Sequence, residues 1–106
     1  MNIKMAVDAL DSLYEQARKA DADGKLVIAA AAHSLVSALE DTLKRQDIWD
    51  GNISGILVEY LWGMESLCGL SNGNKLSHVL DGSPALAAVS KLRMGHVLGR
   101  HFDRPE

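Results

Sequence analysis

Apolar residues recur at spacings of three and four along nearly the whole chain, seldom at two, and only Pro84 and Pro105 interrupt the backbone. That period matches the α-helical turn rather than the alternation of a strand. The expected fold is all-α, a compact bundle of about four helices in one domain covering residues 1–106. A chain of 106 residues buries roughly 65% of the surface exposed by its unfolded form, enough for one core without metal or disulfide staples.

In the first segment Ile3, Ala6, Val7, Leu10, Leu13, Tyr14 and Ala17 share one face, with Asp8, Asp11, Glu15, Arg18 and Lys19 on the other. This is an amphipathic helix, and Asn2 is placed to cap it. Asp21-Ala22-Asp23-Gly24 has the residues of a turn. A second helix is expected from about Lys25 to Gln46, with Ile28, Ala31, Ala32, Leu35, Leu39 and Leu43 as its core stripe. Its stretch Leu26 to Ala32 is apolar nearly all round, which places it centrally, covered on more than one side. Seven apolar residues fall far short of the roughly 20 that cross a bilayer, so no membrane partner is expected.

Asp47 to Asn52 breaks the pattern, and Asn52 is read as the cap of a third helix reaching about Leu70. Ile53, Ile56, Leu57, Tyr60, Leu61, Met64, Leu67 and Cys68 form its core stripe. The Ser71-Asn72-Gly73-Asn74 turn precedes a short extra helical turn near residues 75–80. Ser83-Pro84 then starts a last helix running to about Gly99 or His101.

Chemistry is sparse. Placing Gly24 at the sixth position of a calcium loop puts Lys19 at the first and Ala30 at the twelfth, where acidic ligands are required. The histidines His33, His78, His96 and His101 are not spaced as metal ligands. Cys68 lies on an apolar stripe, where burial raises a thiol pKa and suppresses reactivity. Neither a nucleophile elbow nor a glycine-rich phosphate loop occurs. The expectation is therefore no enzyme, no cofactor and no metal. A lone cysteine and an N-terminus without a secretory pattern indicate the cytoplasm.

The side of the third helix away from its core stripe is more informative. Gly55, Val58 and Trp62, with Glu59, Gly63 and Ser66 a little round the cylinder, set a large indole among small residues. Either another helix of the chain covers this side, or it is a protein interface in which tryptophan is the anchor. Trp49, in the loop before this helix, is a second aromatic candidate. Residues 83–106 carry Lys91, Arg93, Arg100 and Arg104 against Asp103 and Glu106, a net +2, while the whole chain is at -3. The partner-binding set is Trp62, Val58, Glu59, Trp49, Gly55, Arg93 and Arg100, with the arginines orienting a partner from the rim. On this reading the chain is a small cytosolic interaction module, a regulator or inhibitor that masks a surface of another protein, and a homodimer.

The sequence also carries features of a different class. Leu67-Cys68-Gly69-Leu70-Ser71, a turn, then Lys75-Leu76-Ser77-His78-Val79-Leu80-Asp81-Gly82 and a further helix resembles a phage-repressor-like helix-turn-helix. That resemblance implies a DNA-binding regulator using residues 64–101, with Lys75, Arg93 and Arg100 on the nucleic acid. Against it, the segment in the recognition position has one lysine and no arginine to read guanine edges, and the net charge of -3 gives no global attraction to phosphate.

Overall fold

The computed structural model describes residues 1–69 and 83–103. Within them lie α1 (Ile3–Lys19), α2 (Ala22–Arg45), α3 (Gly51–Leu67) and α4 (Ser83–Leu92), then a single 3-10 turn at Gly99–His101. The chain is an all-α bundle, with no strand among the described residues. The extra turn expected near 75–80, and with it the recognition segment around Lys75, lies outside them.

Helix boundaries follow from caps. The Asn2 side chain accepts the Met5 N–H at 3.0 Å, as anticipated. Asp21 accepts the Gly24 N–H at 2.8 Å, so Asp21 to Gly24 is not a free turn. It is the capped first turn of α2, which begins three residues before the expected Lys25. At the other end the Ile48 N–H reaches the Leu43 carbonyl at 2.9 Å and the Asp47 N–H reaches that of Lys44 at 3.2 Å. This pair of bonds closes a helix through a left-handed residue, here Asp47 at φ 59°. Asp50 rather than Asn52 caps α3, accepting from Ile53 N–H at 2.8 Å; Asn52 is already inside the first turn. The third helix ends at Leu67 and the fourth at Leu92, both shorter than the sequence pattern suggested. After Leu92 the chain doubles back, with Leu98 N–H on the Leu92 carbonyl and Gly99 N–H on that of Met94. The reversal lets Val97 and Leu98 bury themselves, which a continued straight helix would not.

The core gathers Val7 and Leu10 from α1, Leu39 and Leu43 from α2, Leu57, Tyr60 and Met64 from α3, and Val89, Leu92 and Leu98 from the C-terminal part. Across it the Tyr60 hydroxyl donates to the Leu10 carbonyl at 2.7 Å. Two helices, α1 and α3, each touch all three others. The closest neighbour of α3 is α4, because Gly63 offers no side chain where the Ala85 backbone passes.

The centre of the fold is therefore not the first half of α2. That helix contacts α1 and α3, and its core residues are Ala29, Ala32, Val36, Leu39 and Leu43. Ile28 and Leu35 are half-buried and Ala31 is exposed, so the expected stripe is rotated by part of a turn. Leu26 is 50% exposed and Val27 70%. An all-round apolar helix carries no contrast to fix its azimuth, and its neighbours cover one side only. The expectation that this region is too short for a membrane is also corrected. Between Leu26 and Leu39 no charged residue occurs, and the 24-residue helix is long and apolar enough to cross a bilayer by length and composition.

Candidate functional site

The residues singled out on α3 divide according to what packs beside them. The Gly63 edge is closed by α4: Gly63 and Ser66 are buried, and half-buried Glu59 accepts from Lys91 Nζ at 3.0 Å. The opposite edge meets α2, where His33 Nε2 lies 3.2 Å from Glu65 Oε1. Between these covered edges runs an open strip. Val58 is 40% exposed and Trp62 37%, one turn apart on the same line of the helix. Gly55 is exposed as well, and a methyl group placed there would meet nothing within 4 Å. Cover by another helix of the chain thus accounts for only part of this side of α3: α4 covers its small-residue flank and leaves the indole and the valine exposed.

Next to the strip is a cleft of about 280 Å³, lined among others by Gly51, Gly55, Glu59, Lys91, Met94 and His96. Its size is below that of most small-molecule sites, and the Lys91–Glu59 pair occupies part of its wall. Among the described residues neither a serine nor a cysteine lines it, so none of them sets a hydroxyl or thiol nucleophile beside the imidazole there. Among the described residues no group of three or more His, Cys, Asp or Glu side chains converges.

Trp62, Val58, Gly55 and Glu59 are brought together on one stretch of α3. The other named residues have local employment. Trp49 is half-buried against the core, with the Lys44 ammonium 5.4 Å from its ring centroid, an arrangement that holds the α2–α3 connection. Arg93 points to the α1 side of α4, donating to Asp8 Oδ1 at 3.0 Å and to Asp11 Oδ2 at 3.4 Å. Arg100 Nε approaches His101 Nε2 at 3.2 Å. Arg93 is thus engaged within the chain, on the side of α4 opposite Lys91.

Two ionisable core groups are tuned by burial. The Tyr60 hydroxyl is pushed far above its ordinary range, desolvation being the main cause with the Asp11 charge second. Burial also pushes the Cys68 thiol up, opposed by the positive charge of Lys25. Both effects keep these groups neutral and unreactive near pH 7.

The sequence reading passed over further exposed apolar side chains. Met5 is as exposed as Val27, at 70%, and with Met1, Ala9 and Leu35 it lines a shallow groove where α1 meets α2. The signal for the exposure of Leu26 and Val27 was the run Leu26 to Ala32, apolar nearly all round and read instead as interior. No protein-family model, curated protein or solved structure matches the chain.

Proposed function

We propose that this chain is a small protein–protein interaction module that docks on a partner protein and masks part of its surface, acting as a regulator or inhibitor rather than as an enzyme. Trp62 is the anchor, Val58 extends the contact along α3, open Gly55 admits a close-lying partner backbone, and Glu59 with Lys91 forms the charged rim. One observation carries the reading: the Trp62 indole stays 37% exposed although helices pack on both flanks of α3. A tryptophan beside small residues in a strip rimmed by charge is the composition of an interface centre. Regulation follows from masking alone, since the strip offers contact and no chemistry.

The test is a nuclease-treated pull-down from the native host lysate with wild type beside Trp62→Ala, each checked for folding by circular dichroism. A specific protein retained by wild type and lost with the folded variant supports the reading; as a hot spot, Trp62 contributes ~2 kcal/mol or more, a weakening of about thirtyfold. Recovery of nucleic acid in place of protein when the nuclease is omitted, with binding that falls steeply as salt rises, would transfer the function to the helix-turn-helix class.

A further inference from the structure

Eight large apolar side chains are exposed among the described residues, and six of them lie on α2 or beside it: Met1, Met5, Leu26, Val27, Val58 and Trp62. The Met1–Met5 groove borders α2 on the α1 side through Leu35. The His33–Glu65 contact holds α3 on the other side. One broad face of the bundle therefore has α2 along its middle and apolar side chains at both margins. Only 33% of the apolar window of α2 is buried. A surface of this kind marks an interaction site.

Down the outward side of α2 run Asp23, Val27, Ala30, Ala31, Ser34, Ser37, Ala38, Asp41 and Arg45, nearly all exposed and short in the middle. We infer that the occupant of this face is a second copy of the chain, seated with its α2 antiparallel to the first about a two-fold axis at Ser34. The order of charges selects that arrangement. Asp23 and Arg45 each lie eleven positions from Ser34, so each is ~16 Å from it along the helix and within about 20° of its direction. The two-fold brings Asp23 of each copy level with Arg45 of the other and makes two ion pairs. A parallel pairing would set Asp23 against Asp23 and Arg45 against Arg45. Between the charged ends, Ala30 meets Ala38, Ala31 meets Ser37, and Ser34 meets itself; side chains this short let two helix axes approach closely. Val27 comes opposite Asp41, whose carboxylate reaches water at the edge while the Arg45 stem covers the valine.

Area agrees. A strip as long as α2, about 36 Å, and as wide as one helix with its margins, about 18 Å, is roughly 650 Å² per copy. Two such strips exceed the roughly 1,000 Å² total expected of a specific interface. Lipid fits less well, because an interfacial helix pairs large apolar residues on one side with Lys and Arg on the other, and the middle of the outward side of α2 is Ala and Ser, with Asp23 and Asp41 nearer its ends.

This inference deepens the docking reading by naming an occupant, and it shares the Trp62 margin with it; the two fail separately. Sedimentation of the full chain from about 1 µM to 1 mM is expected to show a monomer–dimer equilibrium. Ser34→Glu, which sets the two copies' new carboxylates against each other at the axis, and the single reversals Asp23→Arg and Arg45→Asp are each expected to weaken the dimer about tenfold or more. The double reversal Asp23→Arg/Arg45→Asp restores it, and that recovery separates a lost ion pair from a damaged helix. A wild type monomeric throughout overturns the inference, as does a dimer indifferent to these four variants, or a monomer that binds phosphatidylcholine vesicles through α2. A monomer with a Trp62-dependent protein partner overturns it too and leaves the docking surface on α3 standing.

Discussion

Two glycines on the same helix, Gly55 and Gly63, should respond with opposite sign to the same substitution. A methyl group at Gly63 would press on the Ala85 amide nitrogen and stand 2.8 Å from the Ala85 Cβ and 3.0 Å from its Cα. These are atoms of the α4 backbone and its first side-chain carbon, so no rotamer change relieves the clash. Carbon atoms in ordinary contact are ~3.5–4 Å apart, and α4 must retreat by about 1 Å along its contact with α3. Overpacking of this kind costs ~1–3 kcal/mol, and a rigid backbone neighbour puts Gly63→Ala at the upper end, about 3 kcal/mol. The gain in helix propensity from Gly to Ala returns about 1 kcal/mol, leaving a net loss of about 2 kcal/mol. At Gly55 a methyl group meets nothing within 4 Å, and only the propensity gain remains, about 1 kcal/mol of stabilisation. The assay is urea unfolding followed by circular dichroism at 222 nm, with both variants beside wild type. The difference between them should be about 3 kcal/mol with little change in m value. A Gly63→Ala protein as stable as Gly55→Ala would refute the close α3–α4 approach.

Other perturbations probe other contacts. Tyr60→Phe removes the hydroxyl that donates to the Leu10 carbonyl at 2.7 Å and should cost ~1–2 kcal/mol in the same unfolding assay. Asp47→Gly relieves a left-handed backbone at φ 59° and should stabilise the α2 terminus by up to about 1 kcal/mol, read as a higher urea midpoint. The Asp8 carboxyl is held below its ordinary value of 3.8 by its bond to Lys4 and then by Arg93. Because its folded pKa is the lower one, its contribution is complete above the ordinary carboxylate range and is lost as pH falls through the folded value. Arg93→Ala should move the Asp8 titration, followed by NMR, back toward 3.8. Cys68 should react slowly with an aromatic disulfide reagent in the native protein and rapidly in urea, since burial raises its thiol.

Legibility in the sequence tracked the contrast between faces. In α1 the charges at Asp8, Asp11, Glu15 and Arg18 mark the outside, and the core side Ile3, Ala6, Val7, Leu10 and Tyr14 was readable residue by residue. In α2, fourteen positions from Leu26 to Leu39 carry no charge, so several azimuths bury similar amounts of apolar surface. Contacts with α1 and α3 made the choice. Asp50 and Asn52 are both cap-competent, and only the extended backbone at Asp50, with φ -146° and ψ 174°, distinguishes them. On α3 the exposure of Trp62 and Val58 and the burial of Gly63 depend on where α4 docks, a long-range fact absent from local spacing. The same holds for Arg93, whose acceptors lie 82 and 85 positions earlier in the chain.

That last separation has a consequence for synthesis. The α1–α2 hairpin closes through two residues, Ala20 and Asp21, and can form as soon as it emerges from the ribosome. With α2 complete at Arg45, the remaining core surface of the hairpin waits for the 48 residues up to Arg93, which meets Asp8. At ~5–20 residues per second that delay is about 2–10 s. During that interval Val7, Leu10 and Ala17 are incompletely covered on a nascent chain, a window in which chaperones meet this protein with part of its eventual core in view.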